Sequence, residues 1–388
     1  MDTVKLAVIG LGNMGTQHCD VISDMSEAVL TAVCDVDEAR VQAVEAKHGC
    51  RGFTDSAELF CGCDLDGIVI ATPHNFHAPL AIEAFGRGLH VLTEKPVACH
   101  GKDALGMVSG WQQARITKPS LVFAAMFQQR TQDAAAKIKD ILDQGELGTL
   151  IRATWIITDW YRTQAYFNSG GWRATWKGEG GGVLMNQCPH QLDMYQWFFG
   201  LPKRVQGFAS LGKYHDIEVE DEVTAYFEHE NGMVGHFITS TGEAPGTNRL
   251  EIVGEYGRLI WENGSLKFHR NRISLLRHLK EAQTGFTKPE CWPTDIPVQT
   301  GGGLHRTIIE NFRDAILGRT AKVIAPAEEG LNSLVLDNAI MLSSFEQRMI
   351  GLPLDDDRYQ DLLKKLIAGS GKAKQVRKIS NNDFGLSY

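Results

Sequence analysis

The stretch VKLAVIGLGNMG, residues 4–15, joins a short apolar run to a glycine-rich turn and the start of a helical pattern. Its glycines fit the spacing G-x-G-x-x-G, and a strand before and a helix after are the context that this fingerprint requires. Gly10 permits a tight turn, Gly12 lets the backbone approach a pyrophosphate, and Gly15 lets the helix pack on the strand. The N–H groups at the start of the helix face the anion. The stretch therefore predicts a dinucleotide site formed by Gly10, Gly12, Asn13, Met14 and Gly15.

An acidic residue stands at the end of the second predicted strand. Val29–Cys34 is an apolar run, and Asp35 follows it, 20 residues beyond Gly15. A carboxylate at this place accepts hydrogen bonds from ribose hydroxyls and repels a 2′-phosphate. Asp35 therefore predicts NAD as the cofactor in preference to NADP.

The first third of the chain alternates short apolar strands with helical patterns. The predicted strands are Val4–Ile9, Val29–Cys34, Gly67–Ala71, Leu89–Leu92 and Leu121–Met126. Continuously apolar strands separated by helices indicate a parallel sheet that is covered on both faces. The predicted fold class is therefore α/β, with residues 1–128 forming an N-terminal Rossmann domain around a doubly wound parallel sheet.

The pattern changes after about residue 130. Six further strand-like runs follow, at Arg152–Trp160, Val205–Ser210, Glu222–Glu228, Met233–Thr239, Arg249–Val253 and Leu259–Trp261. Asn231-Gly232 between two of these runs is a strong hairpin signal. Residues 129–368 are therefore predicted to form a C-terminal α+β domain with a large, open, mainly antiparallel sheet. Residues 369–388 are polar and basic, and are predicted to form a loosely held tail.

Composition excludes several classes of protein. The 388 residues carry 39 Lys and Arg against 47 Asp and Glu, so the formal charge is −8 and a basic nucleic-acid face is not expected. No apolar run approaches the ~18 residues of a membrane span. With a strand beginning at Val4 and no secretion signal, we expect a cytoplasmic protein whose eight cysteines are reduced.

Two further loops leave the carboxyl ends of predicted strands, where doubly wound sheets bind ligands. Their candidate cofactor-binding residues are Thr72, Pro73, His74, His77, Glu94 and Lys95. Lys95 lies between an acid and a proline, so a rigid turn aims it at the cofactor. His74 and His77 could instead form an H-x-x-H metal pair, but a third ligand is not evident, and Cys61 and Cys63 are equally isolated. No metal site is predicted.

An aromatic and basic stretch, residues 159–179, combines three Trp, two Tyr, two Arg and one Lys with glycine hinges. Aromatic faces stack on the C–H surfaces of sugars, and guanidinium forks bind hydroxyls or acids. Tyr161, Arg162, Arg173 and Trp176 are therefore predicted to contact a carbohydrate, either neutral or acidic. The alternative is an aromatic sheet edge or an oligomer contact.

Together these motifs resemble the glucose–fructose oxidoreductase/inositol dehydrogenase family (Gfo/Idh/MocA). The resemblance rests on AVIGLGNMG (7–15), CDVDEAR (34–40), ATPHNFHA (71–78), TEKPVA (93–98) and GEGGGVLMNQCPHQLDMYQWFFG (178–200). It implies an NAD-dependent oxidoreductase with the two-domain layout described above. The family's E-K-P lysine matches Lys95, which is then catalytic near the nicotinamide. Its H-x-x-D histidine matches His190, the implied acid–base group, and Asp193 is the implied substrate contact.

Two positions depart from the family pattern. Many members carry Asp four residues before the histidine, where this chain has Asn186. Because an amide cannot accept a proton, the departure puts a Lys–Asp–His relay in question, and Asn186 is predicted to bind a substrate hydroxyl instead. His74 stands where many members have Asn, a substitution within the range of the family that changes the predicted function little.

Three functions compete for this combination of residues. The leading prediction is an NAD-dependent dehydrogenase or reductase acting on a secondary hydroxyl of a sugar, sugar derivative or cyclitol, with Lys95 and His190 flanking the reacting carbon. The second is a glycoside hydrolase of the same fold that retains NAD and works by transient oxidation, elimination, hydration and re-reduction. The third is a non-catalytic nicotinamide sensor, which has no need of both side chains. The resemblance also implies a homodimer or homotetramer formed through the open sheet.

Overall fold

A computed structural model describes residues 3–299, 301 and 304–371. The chain divides into two compact units. The first unit comprises Met1–Gln132 with Gly301–Leu334, and the second comprises Asp133–Thr300 with Val335–Tyr388. Most of the predicted tail, residues 372–388, lies outside the described part of the chain.

The first unit contains a six-stranded parallel sheet with the strand order β3-β2-β1-β4-β5-β6. Its strands are β1 (Val4–Ile9), β2 (Ala28–Cys34), β3 (Arg51–Phe53), β4 (Gly67–Ile70), β5 (His90–Thr93) and β6 (Phe123–Ala125). Every residue of β4, β5 and β6 is buried, because side chains cover both faces of the sheet. The predicted doubly wound sheet is confirmed.

The second unit contains a nine-stranded sheet with the order β14-β13-β12-β11-β7-β10-β9-β8-β15. Its strands are β7 (Leu150–Ile157), β8 (Arg204–Leu211), β9 (Glu220–Glu228), β10 (Val234–Ser240), β11 (Asn248–Gly254), β12 (Gly257–Glu262), β13 (Ser265–Asn271), β14 (Cys291–Ile296) and β15 (Ile350–Gly351). Only β7 and β10 pair in parallel, so the predicted open, mainly antiparallel sheet is confirmed. Asn231-Gly232 turns the chain between β9 and β10, with Gly232 at φ 83°.

Twelve α-helices connect these strands in the described residues. They are α1 (Asn13–Ser23), α2 (Glu38–His48), α3 (Ser56–Gly62), α4 (His77–Gly86), α5 (Gly101–Arg115), α6 (Asp133–Asp143), α7 (Gln164–Phe167), α8 (Pro189–Phe199), α9 (Leu275–Glu281), α10 (Leu304–Ile316), α11 (Ala327–Glu346) and α12 (Asp356–Gly369). Within that part of the chain, no helix has both the length and the apolar character that crossing a membrane requires.

The units differ from the predicted domains at the first boundary, which lies after residue 132 and not after 128, and at one internal segment. The predicted second domain is continuous over 129–368, whereas residues 301–334 fold with the first unit. The reason is the apolar face of α10, whose Ile308, Ile309 and Phe312 are buried in one core with β1 and β2. On the same unit, the Arg319 guanidinium binds Glu27 through two contacts of 2.6 and 2.7 Å.

Candidate functional site

The glycine-rich turn of the first unit is tight because two of its glycines avoid backbone clashes. Gly10 has φ 95°, and a Cβ there would lie 2.6 Å from the carbonyl carbon of Ala71. A Cβ on Gly15 would lie 1.8 Å from the Gly10 carbonyl oxygen, so the helix could not approach the turn. A Cβ on Gly12 meets no heavy atom within 4 Å, so this glycine borders open space. That space is where the fingerprint places a pyrophosphate.

Helix α1 opens directly onto this space. Its N-cap is Gly12, which has no side chain to cap the first turn, and that turn contains no acidic residue. The N-terminal N–H groups and the positive end of the helix dipole therefore suit an anion. The turn fits the diphosphate of a dinucleotide.

Asp35 is tied to the same turn. Its Oδ2 accepts the N–H of Leu11 at 2.6 Å, and its Oδ1 accepts the N–H of Asp37 at 2.9 Å. The Arg40 guanidinium lies 3.8 Å from Oδ2. The carboxylate is thus held beside the glycine turn, as a ribose contact requires. Arg40 was not singled out from the sequence, because its position one turn into α2 has the pattern of an ordinary surface residue.

His77 joins the two loops that follow β4 and β5. Its ring is buried, with Nδ1 2.9 Å from the Pro96 carbonyl oxygen and Nε2 2.9 Å from the Thr72 carbonyl oxygen. Burial lowers the pKa of this imidazole despite those two oxygens. The neutral ring has a single N–H to donate to one of these two carbonyl oxygens, and the contacts place His77 as a brace between the two loops. His74 lies on the adjoining turn, its ring centroid 5.9 Å from that of His77.

Glu94 anchors the backbone at Lys95. The Glu94 carboxylate is buried, with Oε1 2.8 Å from His18 Nε2 and Oε2 accepting the Lys95 N–H at 3.1 Å. Burial alone would raise the pKa of Glu94, but the hydrogen bond and charge of His18, with Lys95 and His305, lower it to about 2. The anion beside Lys95 is thus stable. His18 and His305 were missed from the sequence because they lie 76 and 211 positions from Glu94 along the chain.

The second unit presents His190 after an unusual helical turn. Val183–Gln187 forms a single π-helical turn, and α8 begins two residues later at Pro189. His190 is the second residue of α8 and is 5% exposed. Asp193, one turn on, is fully buried and accepts the side-chain amide of Gln196 at 3.1 Å. A π-helical turn of this kind is frequent at functional sites.

A buried glutamate holds the π-helical turn in place. Glu220 Oε1 accepts the N–H groups of Gly182 at 2.8 Å and Leu184 at 3.1 Å. Burial raises the pKa of Glu220 to about 7, with a smaller contribution from the charge of Glu179. Burial and the charge of Glu220 also raise the pKa of Asp337 on α11. The sequence offered no signal for this pair, because its members are 117 residues apart.

Asn186 lies on the π-helical turn and meets a second carboxylate. Its side-chain amide donates a short hydrogen bond to Glu179 Oε1, and the N–H of Ala174 donates to Glu179 Oε2 at 2.5 Å. The Arg173 guanidinium lies 4.0 Å from the same Oε1. An acid is therefore present in contact with residue 186, although residue 186 is itself an amide. Glu179 ends the aromatic and basic stretch 159–179, and the sequence carries no signal for its contact with Asn186.

The predicted substrate residues divide by exposure. Tyr161 is 49% exposed, and Arg162 and Arg173 are half-buried against the Tyr166 ring, at 5.0 and 4.7 Å from its centroid. Trp176 instead belongs to the core of the second unit, 4% exposed, with its ring 6.3 Å from that of Phe345. The burial of this large apolar ring stabilises the core, and its contact with a substrate stays a prediction.

The structure therefore gathers the predicted residues into two sets, one in each unit. The first unit holds the glycine turn, Asp35, the 72–77 loop and Lys95, and the second holds Asn186, His190 and Asp193. In the residues that the structure describes, no three His, Cys, Asp or Glu side chains form a group that could hold a metal ion.

Two family models match the chain. Residues 4–115 match the model of an oxidoreductase family with an NAD-binding Rossmann fold (GFO/IDH/MocA), and residues 135–260 match the GFO/IDH/MocA C-terminal domain. Together they span well over half of the sequence. They also cover the glycine turn, Asp35, Lys95 and His190.

Individual proteins are similar over nearly the whole chain. An inositol 2-dehydrogenase from Rhizobium meliloti is 25% identical over 90% of this chain and 99% of its own length. A levoglucosan dehydrogenase from Pseudarthrobacter phenanthrenivorans is 24% identical over 91% of this chain and 99% of its own. Among solved structures, the WlbA dehydrogenase from Bordetella pertussis in complex with NADH and UDP-GlcNAcA superposes with a TM-score of 0.75. It is 25% identical and covers 91% of this chain and 100% of its own.

Proposed function

The chain belongs to the GFO/IDH/MocA family of NAD-binding oxidoreductases, and on that premise we propose that it oxidises a secondary hydroxyl of a sugar, sugar derivative or cyclitol. The observation that carries the proposal is Lys95, anchored by a buried, ionised Glu94 at the end of β5, in the unit that holds the glycine turn. The relatives support the substrate class, since inositol and levoglucosan are both polyhydroxylated rings.

Lys95 and His190 have different roles in the proposed oxidation of the hydroxyl group. The Lys95 ammonium polarises the hydroxyl oxygen and lowers its pKa, because a positive charge favours the developing alkoxide. His190 takes the proton, since a neutral imidazole nitrogen is a base that can serve close to neutral pH. The nicotinamide, when bound, supplies the acceptor for the hydride from the same carbon. Asn186 and Asp193 orient the neighbouring hydroxyls.

We propose NAD rather than NADP as the cofactor. Asp35, held by the Leu11 N–H, offers its carboxylate to the ribose hydroxyls and repels a 2′-phosphate. Arg40 lies close enough to weaken that repulsion, so the preference depends on both residues. Replacing Asp35 with Ser should lower the NAD-to-NADP ratio of kcat/KM by at least about tenfold. An unchanged ratio in Asp35→Ser would contradict this assignment.

The oligomeric state is a separate proposal. The second sheet is open, and we propose that its outer face forms a homodimer or homotetramer. Light scattering on the purified protein should give a mass of two or four chains. A monomer at micromolar concentration would contradict it.

One assay tests the reaction. Purified protein meets NAD with free sugars, cyclitols and nitrophenyl glycosides, and reduced nicotinamide and free nitrophenol are recorded together. NADH formed in proportion to the sugar consumed supports the proposal. Nitrophenol release without NADH accumulation contradicts it and identifies the redox glycosidase instead.

Variants assign the roles. Lys95→Ala and His190→Ala should each lower kcat by about 100- to 10,000-fold, the usual contribution of an acid–base or polarising group, while NADH still binds. The matched control is Lys47→Ala, which removes the same charge from an exposed position on α2. Unchanged turnover in Lys95→Ala would contradict the proposed role.

A further inference from the structure

We propose that Arg162, with Trp160, forms a carboxylate subsite in the second unit, so that the substrate is a sugar acid rather than a neutral sugar. This inference rests on the proposed function for the carbohydrate class, and narrows it. Four features of the chain around Arg162 support it.

The backbone of Arg162 is fixed on both sides. Its N–H donates to the Thr241 carbonyl at 2.9 Å, and its carbonyl oxygen lies 2.8 Å from His215 Nε2. His215 is held in turn by Asp221, with Nδ1 3.0 Å from Oδ2. A ligand group that meets Arg162 therefore meets a positioned side chain, which lowers the entropy lost on binding.

The Arg162 guanidinium lies over two aromatic rings. Its carbon lies 5.3 Å from the ring centroid of Trp160 and 5.0 Å from that of Tyr166. Cation–π contacts of this kind stabilise the charge of the guanidinium, whose N–H groups point to acceptors in its own plane. A carboxylate is an acceptor of that kind.

One edge of the fork has no acceptor among the residues that the structure describes. Nη1 donates to the Tyr161 carbonyl oxygen at 3.0 Å, but Nε is buried without a hydrogen-bond partner. No carboxylate of the described chain lies within 4.0 Å of this guanidinium. The nearest acid in sequence, Asp159, accepts the side-chain amide of Asn248 at 3.1 Å. The Nε and Nη2 edge is the one that binds carboxylates through two parallel hydrogen bonds.

A second N–H donor near Arg162 also lacks a hydrogen-bond acceptor in the described chain. Trp160 Nε1 is also buried without a partner in the described chain. Each buried donor without an acceptor costs about 1–3 kcal/mol, and a ligand oxygen that reaches both removes that cost. Because both donor atoms are buried, the entering group has to displace the side chains that cover them.

The nearby Arg173 provides the internal contrast. It donates to the Tyr166 hydroxyl at 2.9 Å and lies 4.0 Å from the Glu179 carboxylate, so its charge is balanced within the protein. The Tyr166 hydroxyl also accepts the side-chain amide of Gln187, three residues before His190. Tyr166 thus links both arginines to the turn that leads into His190, and the subsite lies within the same unit as the proposed base.

The test compares matched pairs of sugars on NADH-loaded protein. D-Glucuronate and D-galacturonate are titrated against D-glucose and D-galactose, with protein fluorescence and calorimetry as readouts. At least one acid should bind about 10- to 100-fold more tightly than its neutral partner, the range expected for a charged hydrogen-bonded pair. Arg162→Gln should abolish the difference in affinity between each acid and its neutral partner, while Trp160→Phe, which removes only the N–H, should reduce that difference by a few fold.

The controls separate this inference from the proposed function. Arg162→Lys keeps the charge but loses the fork, so it should retain only part of the preference. Glucose 6-phosphate distinguishes a carboxylate from a phosphate as the preferred anion, and tighter binding of the phosphate overturns the sugar-acid assignment. Equal binding of acids and neutral sugars, or an equal loss for both in Arg162→Gln, also overturns it. Acid-selective binding that depends on Arg162, without any turnover, would preserve the subsite and reject the dehydrogenase.

Discussion

Each unit holds one turn of its candidate site in a fixed conformation, but the two units do so with different parts of the chain. The turns compared are the glycine turn of the first unit and the π-helical turn of the second. The first is contiguous, and three glycines within six residues determine it through backbone contacts. The second depends on side chains from distant positions, with Glu220 38 and 36 residues away from the N–H groups it accepts. The comparison teaches that a site made of backbone can be read from spacing, whereas a site made of side chains requires the fold.

The largest expected effect comes from breaking the backbone site. Gly15→Ala places a Cβ 1.8 Å from the Gly10 carbonyl oxygen, so the turn or the helix has to move. We expect a loss of stability above the roughly 3 kcal/mol of ordinary overpacking, and loss of measurable NADH binding. The measurement is thermal unfolding together with NADH titration.

Gly12→Ala is the matched control for that change. Its Cβ meets open space, so the protein should unfold at nearly the wild-type temperature while NADH binding weakens. If both variants destabilise the protein equally, the distinction between a packing glycine and a ligand-facing glycine is wrong.

The next largest effect is on the pH dependence of stability, which should have opposite signs in the two units. The pKa of Glu94 falls from 4.5 to about 2, so its contribution to stability is present above pH 4.5 and is lost as the pH falls towards 2. That change corresponds to about 3 kcal/mol. The pKa of Glu220 rises from 4.5 to about 7, so its contribution is present below pH 4.5 and is lost as the pH rises through 7.

Peptide-resolved hydrogen exchange reads these opposite trends in one experiment. Strands β1 and β5 should lose protection in acid, and the 183–187 turn should lose protection between pH 5 and 8. Glu220→Gln, which keeps an acceptor for Gly182 and Leu184, should remove the loss at high pH. Glu94→Gln should remove the loss in acid. Parallel trends in both units would contradict the assignment of these two carboxyls.

The smallest effect is expected from exchanging the acid and the amide of the Glu179–Asn186 pair in the second unit. Glu179→Gln gives Asn186 and Ala174 a partner with one acceptor oxygen in place of two, so a donor is left unmatched. We expect a cost of about 1–3 kcal/mol and a fall in kcat/KM of about tenfold. The double variant Glu179→Gln/Asn186→Asp restores one acid and one amide. It should recover most of the lost stability and most of the lost kcat/KM. A double variant worse than the single one would show that the position of the charge matters, not only its presence.

The first unit was largely predictable from the sequence. The strands β1, β2, β4 and β5 follow from continuous apolar runs, and the dinucleotide turn follows from glycine spacing with Asp35 behind it. Strand β3 was not predicted, because Arg51–Phe53 is only three residues long and none of them is buried. The return of α10 was also missed, since its apolar stripe indicates a helix but not the sheet that it covers.

The second unit was predictable as a sheet but not as a site. The strand-like runs and the Asn231-Gly232 hairpin signal gave its class, and the family resemblance at the H-x-x-D pattern gave His190. Trp176 illustrates the limit, because the same aromatic composition describes a sugar platform and a core. Which rings are buried depends on packing partners such as Phe345, 169 residues further along the chain.

The return of α10 to the first unit has a consequence for how the protein is made. The core shared by β1, β2 and α10 lacks Ile308, Ile309 and Phe312 until about four-fifths of the chain has been synthesised. At ~5–20 residues per second, a ribosome takes roughly 13 to 54 seconds to cross the roughly 270 residues between β2 and α10. Eight of the nine strands of the second unit's sheet, β7 to β14, are encoded inside that interval, and the nascent first unit waits meanwhile with an exposed apolar surface that chaperones can recognise.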